Sequence, residues 1–172
     1  AGNIEIDKPV REFRFDTSTP TTLIQQPTNG SYTSSLITLS GTAADVFDLA
    51  TYNPIEKVEF EIRADTGGYY QAGPNNFDSV TSSFNVAITA NNWALWTYEN
   101  IPWVTQRVYT IRTKALDRAG NIQTNFNVTV NSVTFTFDNT GPISRSTFPA
   151  EGGIVSVIPV IAGTALDPSG AS

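Results

Sequence analysis

Apolar and polar residues alternate along this chain with a period of two. In KVEFEIR at 57–63, Val58, Phe60 and Ile62 fall on one side, and Glu59 and Glu61 on the other. VYTIRTKAL at 108–116 sets Tyr109, Ile111, Thr113 and Ala115 against Arg112 and Lys114. VTFTF at 133–137 sets Val133, Phe135 and Phe137 against threonine, and FNVAIT at 84–89 groups Phe84, Val86 and Ile88. Successive side chains of a strand point to opposite faces, so each run predicts a half-buried strand with its apolar set inward. TTLIQQ at 21–26, LITLSG at 36–41 and WALWTYE at 93–99 are shorter candidates, and the turn-formers PTNGS, DTGG, AGPNN and DRAGN separate the runs. No stretch carries a helical period. The expectation is an all-β fold, with about seven short antiparallel strands in a two-sheet sandwich. Phe126, Val128 and Val130 are even-numbered, whereas the apolar residues of 133–137 are odd-numbered. The phase change predicts a bulge at Asn131–Ser132, or two strands joined by a kink.

The chain also repeats itself. With residue 15 laid on residue 137, an offset of 122, residues 15–45 match 137–167 without a gap at ten of 31 positions. Chance would give roughly two. FDTSTP falls on FDNTGP, Pro27 on Pro149, Gly30 on Gly152, Ser34 on Ser156, GTAAD on GTALD, and upstream Phe13 on Phe135. A fixed period of this kind predicts a repeat array. The complete unit spans 15–138. Residues 1–14 are expected to be the last strand of a preceding repeat, and 139–172 the first strands of a following one. About 120 residues is an ordinary size for one domain with its own core. On this reading the chain, which starts with Ala and contains no Met, is a mature or excised piece of something longer.

Composition narrows the function classes. The net charge is −6 with no basic stripe, which argues against nucleic-acid binding. Sixteen acidic residues favour divalent cations instead. No apolar run is long enough to cross a bilayer as a helix. Cys and His are both absent, which removes Ser-His-Asp and Cys-His nucleophile systems and the common zinc sites. Catalysis by carboxylates alone is demoted, and the chain is not expected to be an enzyme.

The pattern P…NG…I.LSGTA.D, then a VEFEI strand, then tryptophans, then VYTIRTKALDRAGN, resembles the bacterial immunoglobulin-like (Big-type) repeats of large surface and secreted proteins. The resemblance covers about 15–138, and its most specific pieces are SGTAAD at 40–45, YTIRTKALDRAGN at 109–121 and the FD..TP-type linkers. It implies an immunoglobulin-like antiparallel β-sandwich in tandem repeat, at a bacterial cell surface or outside the cell. The roles implied are spacer, stalk and adhesive module, and the partners implied are neighbouring immunoglobulin-like repeats. VFDLATYNP at 46–54 and GPNNFDSVTSS at 73–83 depart from the pattern and look like loop insertions. Tyr109 stands where such folds place a corner tyrosine whose hydroxyl bonds nearby backbone, although an ordinary core tyrosine fits the sequence as well.

Counting chain reversals through the sandwich brings the FDTSTP entry, the loop after GTAAD and the LDRAGN turn to one end. Asp16, Asp45, Asp117 and Asn121 are then neighbours, with Asp48 a weaker candidate. Ca²⁺ takes about six to eight oxygen ligands from carboxylates, amides, carbonyls and water, so calcium at the repeat junctions is the metal expectation. Asp138 and Asp167 would repeat the set at the next junction. Against this, Asp and Asn are the usual turn-formers and need no ion, Arg118 could neutralise a carboxylate there, and Pro20 and Pro142 would stiffen the linkers by themselves.

A second expectation concerns Trp93, Trp96, Trp103, Tyr69 and Tyr70, which together could form a sugar-stacking platform for surface glycans. Trp93 and Trp96 have opposite parity, so at least one is expected to be exposed; core packing is the alternative. Glu59 and Glu61 read as a solvated outer face rather than an acid–base pair. Asn29-Gly-Ser and Asn127-Val-Thr fit an N-glycosylation pattern that carries little weight in a bacterial protein. The leading functional expectation is a structural spacer repeat of a long extracellular protein. A ligand- or carbohydrate-binding adhesive module is the alternative, and a subunit that assembles with other copies of the chain by strand addition is a third.

Overall fold

The computed structural model describes residues 10–46, 54–90 and 92–168. All of its regular structure is β. Thirteen strands follow in order: β1 (Thr21–Gln26), β2 (Tyr32–Thr33), β3 (Thr38–Ala44), β4 (Ile55–Ala64), β5 (Tyr69–Gln71), β6 (Asn76–Ser79), β7 (Asn85–Val86), β8 (Ile88–Ala90), β9 (Leu95–Glu99), β10 (Arg107–Asp117), β11 (Ser132–Phe137), β12 (Ile143–Phe148) and β13 (Ala162–Leu166). One sheet has the order β1-β3-β9-β8. The second has the order β2-β11-β10-β4-β5-β6, with β7 also paired to β4. The strands β12 and β13 form a separate hairpin.

The two larger sheets pack face to face. Ile24, Leu39, Ala43 and Trp96 come from the first, and Val58, Phe60, Ile62, Tyr109, Ile111, Ala115, Val133 and Phe135 from the second. The alternation in the sequence sets these faces. β10 buries every second residue from Tyr109 to Asp117, and it pairs antiparallel with β4 from Tyr109↔Ala64 through Ala115↔Val58. On its other side it pairs with β11 from Arg107↔Phe137 to Arg112↔Ser132. Tyr109 is buried, and its hydroxyl accepts from Val104 N at 2.8 Å, which is the corner role expected of it.

Three expectations about the strands need correction. Val86 and Ile88 are exposed and Ala87 is buried, because the chain changes sheets there: β7 pairs with β4, β8 pairs with β9, and Ala87 N donates to Val58 O. Residues 126–130 are not a strand with a bulge after it. Asn127 O accepts from the amides of Val130, Asn131 and Ser132, which closes a turn that leaves Val128 and Val130 exposed. The insertion at 73–83 is not wholly loop, since β6 lies within it and extends the second sheet beside β5. Phe77 of β6 reaches the core, its ring 5.3 Å from those of Tyr70 and Tyr109. Of the segment read as the last strand of a preceding repeat, the described residues 10–14 are exposed and lie outside the strands above. The rest of that segment, and 47–53 of the other insertion with Asp48, lie outside the described residues.

The hairpin of β12 and β13 reproduces β1 and β3 residue by residue at the offset of 122. Thr21↔Ala44 and Ile143↔Leu166 are corresponding pairs, as are Gln26↔Ser40 and Phe148↔Ala162. Both ladders slip at the same place, between Ile24 and Gln26 and between Ser146 and Phe148. Gly30 and Gly152 have φ of 74° and 71°. The difference is in packing: β1 and β3 bury one face, whereas β12 and β13 are exposed almost throughout.

Candidate functional site

The start of β1, the end of β3, the start of β4 and the end of β10 lie at one pole of the sandwich, as the pairs Thr21↔Ala44 and Asp117↔Ile55 require. The start of β10 and the end of β11 lie at the other, paired at Arg107↔Phe137. β10 has 11 residues, and at ~3.3 Å per residue the poles stand roughly 35 Å apart. The chain enters at the first pole and leaves at the second.

Asp16, Asp45 and Asp117 meet at the entry pole, each offering a carboxylate oxygen within 4.8 Å of the others. Asp117 is fully buried and organises the turn after β10. Its Oδ1 accepts from Ala119 N at 2.9 Å and Asn121 N at 2.7 Å, and its Oδ2 accepts from Asn121 Nδ2 at 2.8 Å. Gly120 completes this turn at φ 94°, a conformation that glycine adopts without steric cost. Asn121 Nδ2 also donates to the backbone oxygen of Asp16 at 3.2 Å, which ties the entering chain to the turn. The four residues that the sequence grouped are therefore together in space.

Ser18 belongs to the same cluster, and nothing in the sequence singles it out from the other serines. Its amide donates to Asp16 Oδ1 at 2.8 Å, and its Oγ lies in hydrogen-bond range of both Asp16 Oδ1 and Asp45 Oδ1. A serine hydroxyl has one proton to give, so it cannot fully serve both carboxylates. Asp45 Oδ1 also accepts from Val46 N. Asp45 Oδ2 is shut off from solvent and has no hydrogen-bond partner among the described residues. An unpartnered buried carboxylate oxygen is costly, and a cation with oxygen preference is the group that would satisfy it.

Of the second set expected at a junction, Asp138 lies at the exit pole. Its Oδ1 accepts from Thr140 N at 2.9 Å and from Thr105 Oγ1 at 3.1 Å. Asp167 follows β13, on the separate hairpin.

The aromatic set does not form a surface. Trp96 and Tyr70 are fully buried and Trp93 is nearly so, while Trp103 and Tyr69 are half-buried. The parity argument failed because Trp93 is not on a regular strand: Asn92 and Trp93 have φ of 53° and 69°, and Trp93 O accepts from Ala43 N. Trp96 Nε1 donates to Thr42 O and Trp103 Nε1 to Leu36 O, both at 3.0 Å. The first bond ties β9 to β3 within one sheet, and Trp103 packs edge-on to Tyr109 and Phe135 and stacked on Phe137.

Glu59 and Glu61 are not the solvated face expected of them: Glu61 is buried, with Ser82 Oγ donating to its Oε2, and Glu59 is half-buried among cations. Lys57 Nζ lies 2.7 Å and Lys114 Nζ 3.3 Å from Glu59, and Arg112 lies 3.9 Å from Glu61. Burial pushes the Glu59 carboxyl up, but the bond from Lys57 and the charge of Lys114 outweigh it and hold the carboxyl below its ordinary range. Two surface depressions are open to solvent, one lined by Arg63, Asp65, Val108 and Thr110, the other by Asn29, Gly30, Tyr32 and Thr136. Compared with known proteins, the chain matches no protein-family model and no curated relative.

Proposed function

We propose that this chain is a structural repeat of a long extracellular or cell-surface protein, an immunoglobulin-like sandwich whose task is to extend or space. The observation that carries the reading is the recurrence of the β1/β3 ladder in β12/β13, register for register and with the same slip. Strand order supports the immunoglobulin-like assignment. β1, β3, β9 and β8 stand as strands A, B, E and D of such a domain, and β4, β10 and β11 as C, F and G. Burial of the indoles favours the spacer over a sugar-binding platform, and no catalytic role is assigned. An antibody raised against the sandwich should detect, in the source cells, a chain far heavier than 18.6 kDa. A native chain of that mass would overturn the spacer reading and leave strand exchange between copies as the explanation of the exposed hairpin.

A second reading concerns the entry pole. We propose that the Asp16, Asp45, Asp117 and Asn121 group holds Ca²⁺ and stiffens the junction with the unit before it. The support is the meeting of three carboxylates together with the buried, unpartnered Oδ2 of Asp45. Calorimetric titration of the chain with Ca²⁺ tests it: binding heat that Asp45→Asn removes is expected, and absence of heat at millimolar Ca²⁺ would end it.

A further inference from the structure

Two turns, one at each pole, are built on residues related by the offset of 122. At the entry pole Ser18 N donates to Asp16 Oδ1 at 2.8 Å. At the exit pole Thr140 N donates to Asp138 Oδ1 at 2.9 Å. Each turn is held by contacts of its own. Ser18 Oγ reaches forward to Asp45, and Asn121 Nδ2 grips the backbone oxygen of Asp16. Thr140 Oγ1 instead lies 3.1 Å from Thr105 Oγ1, on the loop that precedes β10. Thr105 Oγ1 also donates to Asp138 Oδ1 at 3.1 Å and accepts from Asn139 N at 3.1 Å. The linker aspartate is therefore held from the front at position 16 and from behind at position 138.

We propose that Thr105 is a positioning residue of the junction between units. Its hydroxyl fixes the linker aspartate and hydroxyl pair as the chain leaves one sandwich, and so presents that pair to the Asp45, Asp117 and Asn121 type of group on the unit that follows. A complete junction then contains a threonine of the unit behind, one shared carboxylate, and the acidic turn cluster of the unit ahead. The partner of the exit pole is accordingly the entry pole of another unit of this kind. The inference rests on the repeat reading, but not on the presence of a cation. Three hydrogen bonds converge on one hydroxyl of a half-buried residue, an arrangement that a linker free to swing would not need.

The test uses the whole 172-residue chain in EDTA, with Thr105→Val and Thr105→Ser compared by NMR. Thr105→Val should speed amide exchange of Asn139 about tenfold, the effect of one net hydrogen bond. It should also lower the backbone order parameters of 139–142 from about 0.85 toward about 0.6. Thr105→Ser should restore both, and the melting of the sandwich should be nearly unaffected in either variant. Unchanged exchange and order in Thr105→Val, or loss that Thr105→Ser does not rescue, would overturn the proposal. If Thr105→Val does not fold, Asp138→Asn read by the same measurements decides it. Because the readout is local and metal-free, it can fail while the heavy native chain is found, or succeed while that chain is not.

Discussion

The indole of Trp96 lies directly over Gly41, its register partner on the neighbouring strand. A Cβ added at Gly41 would stand 2.3 Å from Trp96 Cζ2 and 2.0 Å from the carbonyl oxygen of Leu23, closer than atoms approach. The backbone oxygen cannot step aside as a flexible side chain could. Gly41→Ala should cost at least about 2 kcal/mol, the range for overpacking a tight core, measured from urea melts. A loss under about 0.5 kcal/mol would mean that β1 and the Trp96 indole do not close on Gly41.

Phe60 gives the opposite test, in which a core side chain is removed. It is fully buried on β4, with its ring 4.6 Å from that of Tyr98 and 6.2 Å from that of Tyr70. Phe60→Ala should cost about 3–5 kcal/mol through lost burial and the cavity left behind. A loss below about 1 kcal/mol would place Phe60 outside the core.

The readability of this molecule depended on whether local pattern and tertiary path agree. β10 was legible over its whole length because both neighbours run beside it without interruption, so alternation alone assigns its faces. Residues 84–89 misled because the chain leaves one sheet for the other at Ala87, which is a property of the path and not of the residues. Val128 and Val130 look like strand residues, yet the carbonyl of Asn127 draws three amides into a turn. At the candidate site, counting reversals was enough to bring Asp16, Asp45, Asp117 and Asn121 to one pole. Ser18 and Thr105 were invisible because a hydroxyl residue in a chain rich in them carries no signal until its neighbours are known.

Tyr70 and Tyr109 make alkaline stability a further test. Both rings are buried, and burial disfavours the phenolate, so both hydroxyls are pushed above the ordinary tyrosine value. The folded state therefore holds protons that the unfolded state releases near pH ~10. The stability involved is fully present below about pH 10 and is lost as pH rises above it. Urea midpoints should be level from pH 8 to pH 9 as far as these two groups decide, and fall by pH ~11. Tyr70→Phe should flatten that fall, because it removes one of the two protons. Tyr109→Phe should also cost about 1–2 kcal/mol at neutral pH, since Val104 N loses the oxygen to which it donates. An alkaline profile unaltered by Tyr70→Phe would show that this phenol is not shielded in the fold.

The entry-pole cluster makes a prediction in which one substitution acts with opposite signs. Without a cation, Asp45 adds a third carboxylate to a site where Ser18 can give one proton and Oδ2 has no partner among the described residues. Asp45→Asn relieves the repulsion and supplies an amide donor, so in EDTA it should be neutral or stabilising by up to about 1 kcal/mol. With Ca²⁺ the same carboxylate is a ligand. Wild-type chain in Ca²⁺ at tenfold over its dissociation constant should gain about 1.4 kcal/mol, and Asp45→Asn should lose most of that gain. Asp117→Asn behaves differently, because Asp117 also caps the amides of Ala119 and Asn121. It should destabilise the chain with or without metal, by about 1 kcal/mol through the weaker bonds of a neutral acceptor. Thermal melts of the three proteins in EDTA and in millimolar Ca²⁺ check the pattern. If Asp45→Asn is destabilising in EDTA and the wild type does not respond to Ca²⁺, the cluster is a hydrogen-bonded turn and not a cation site.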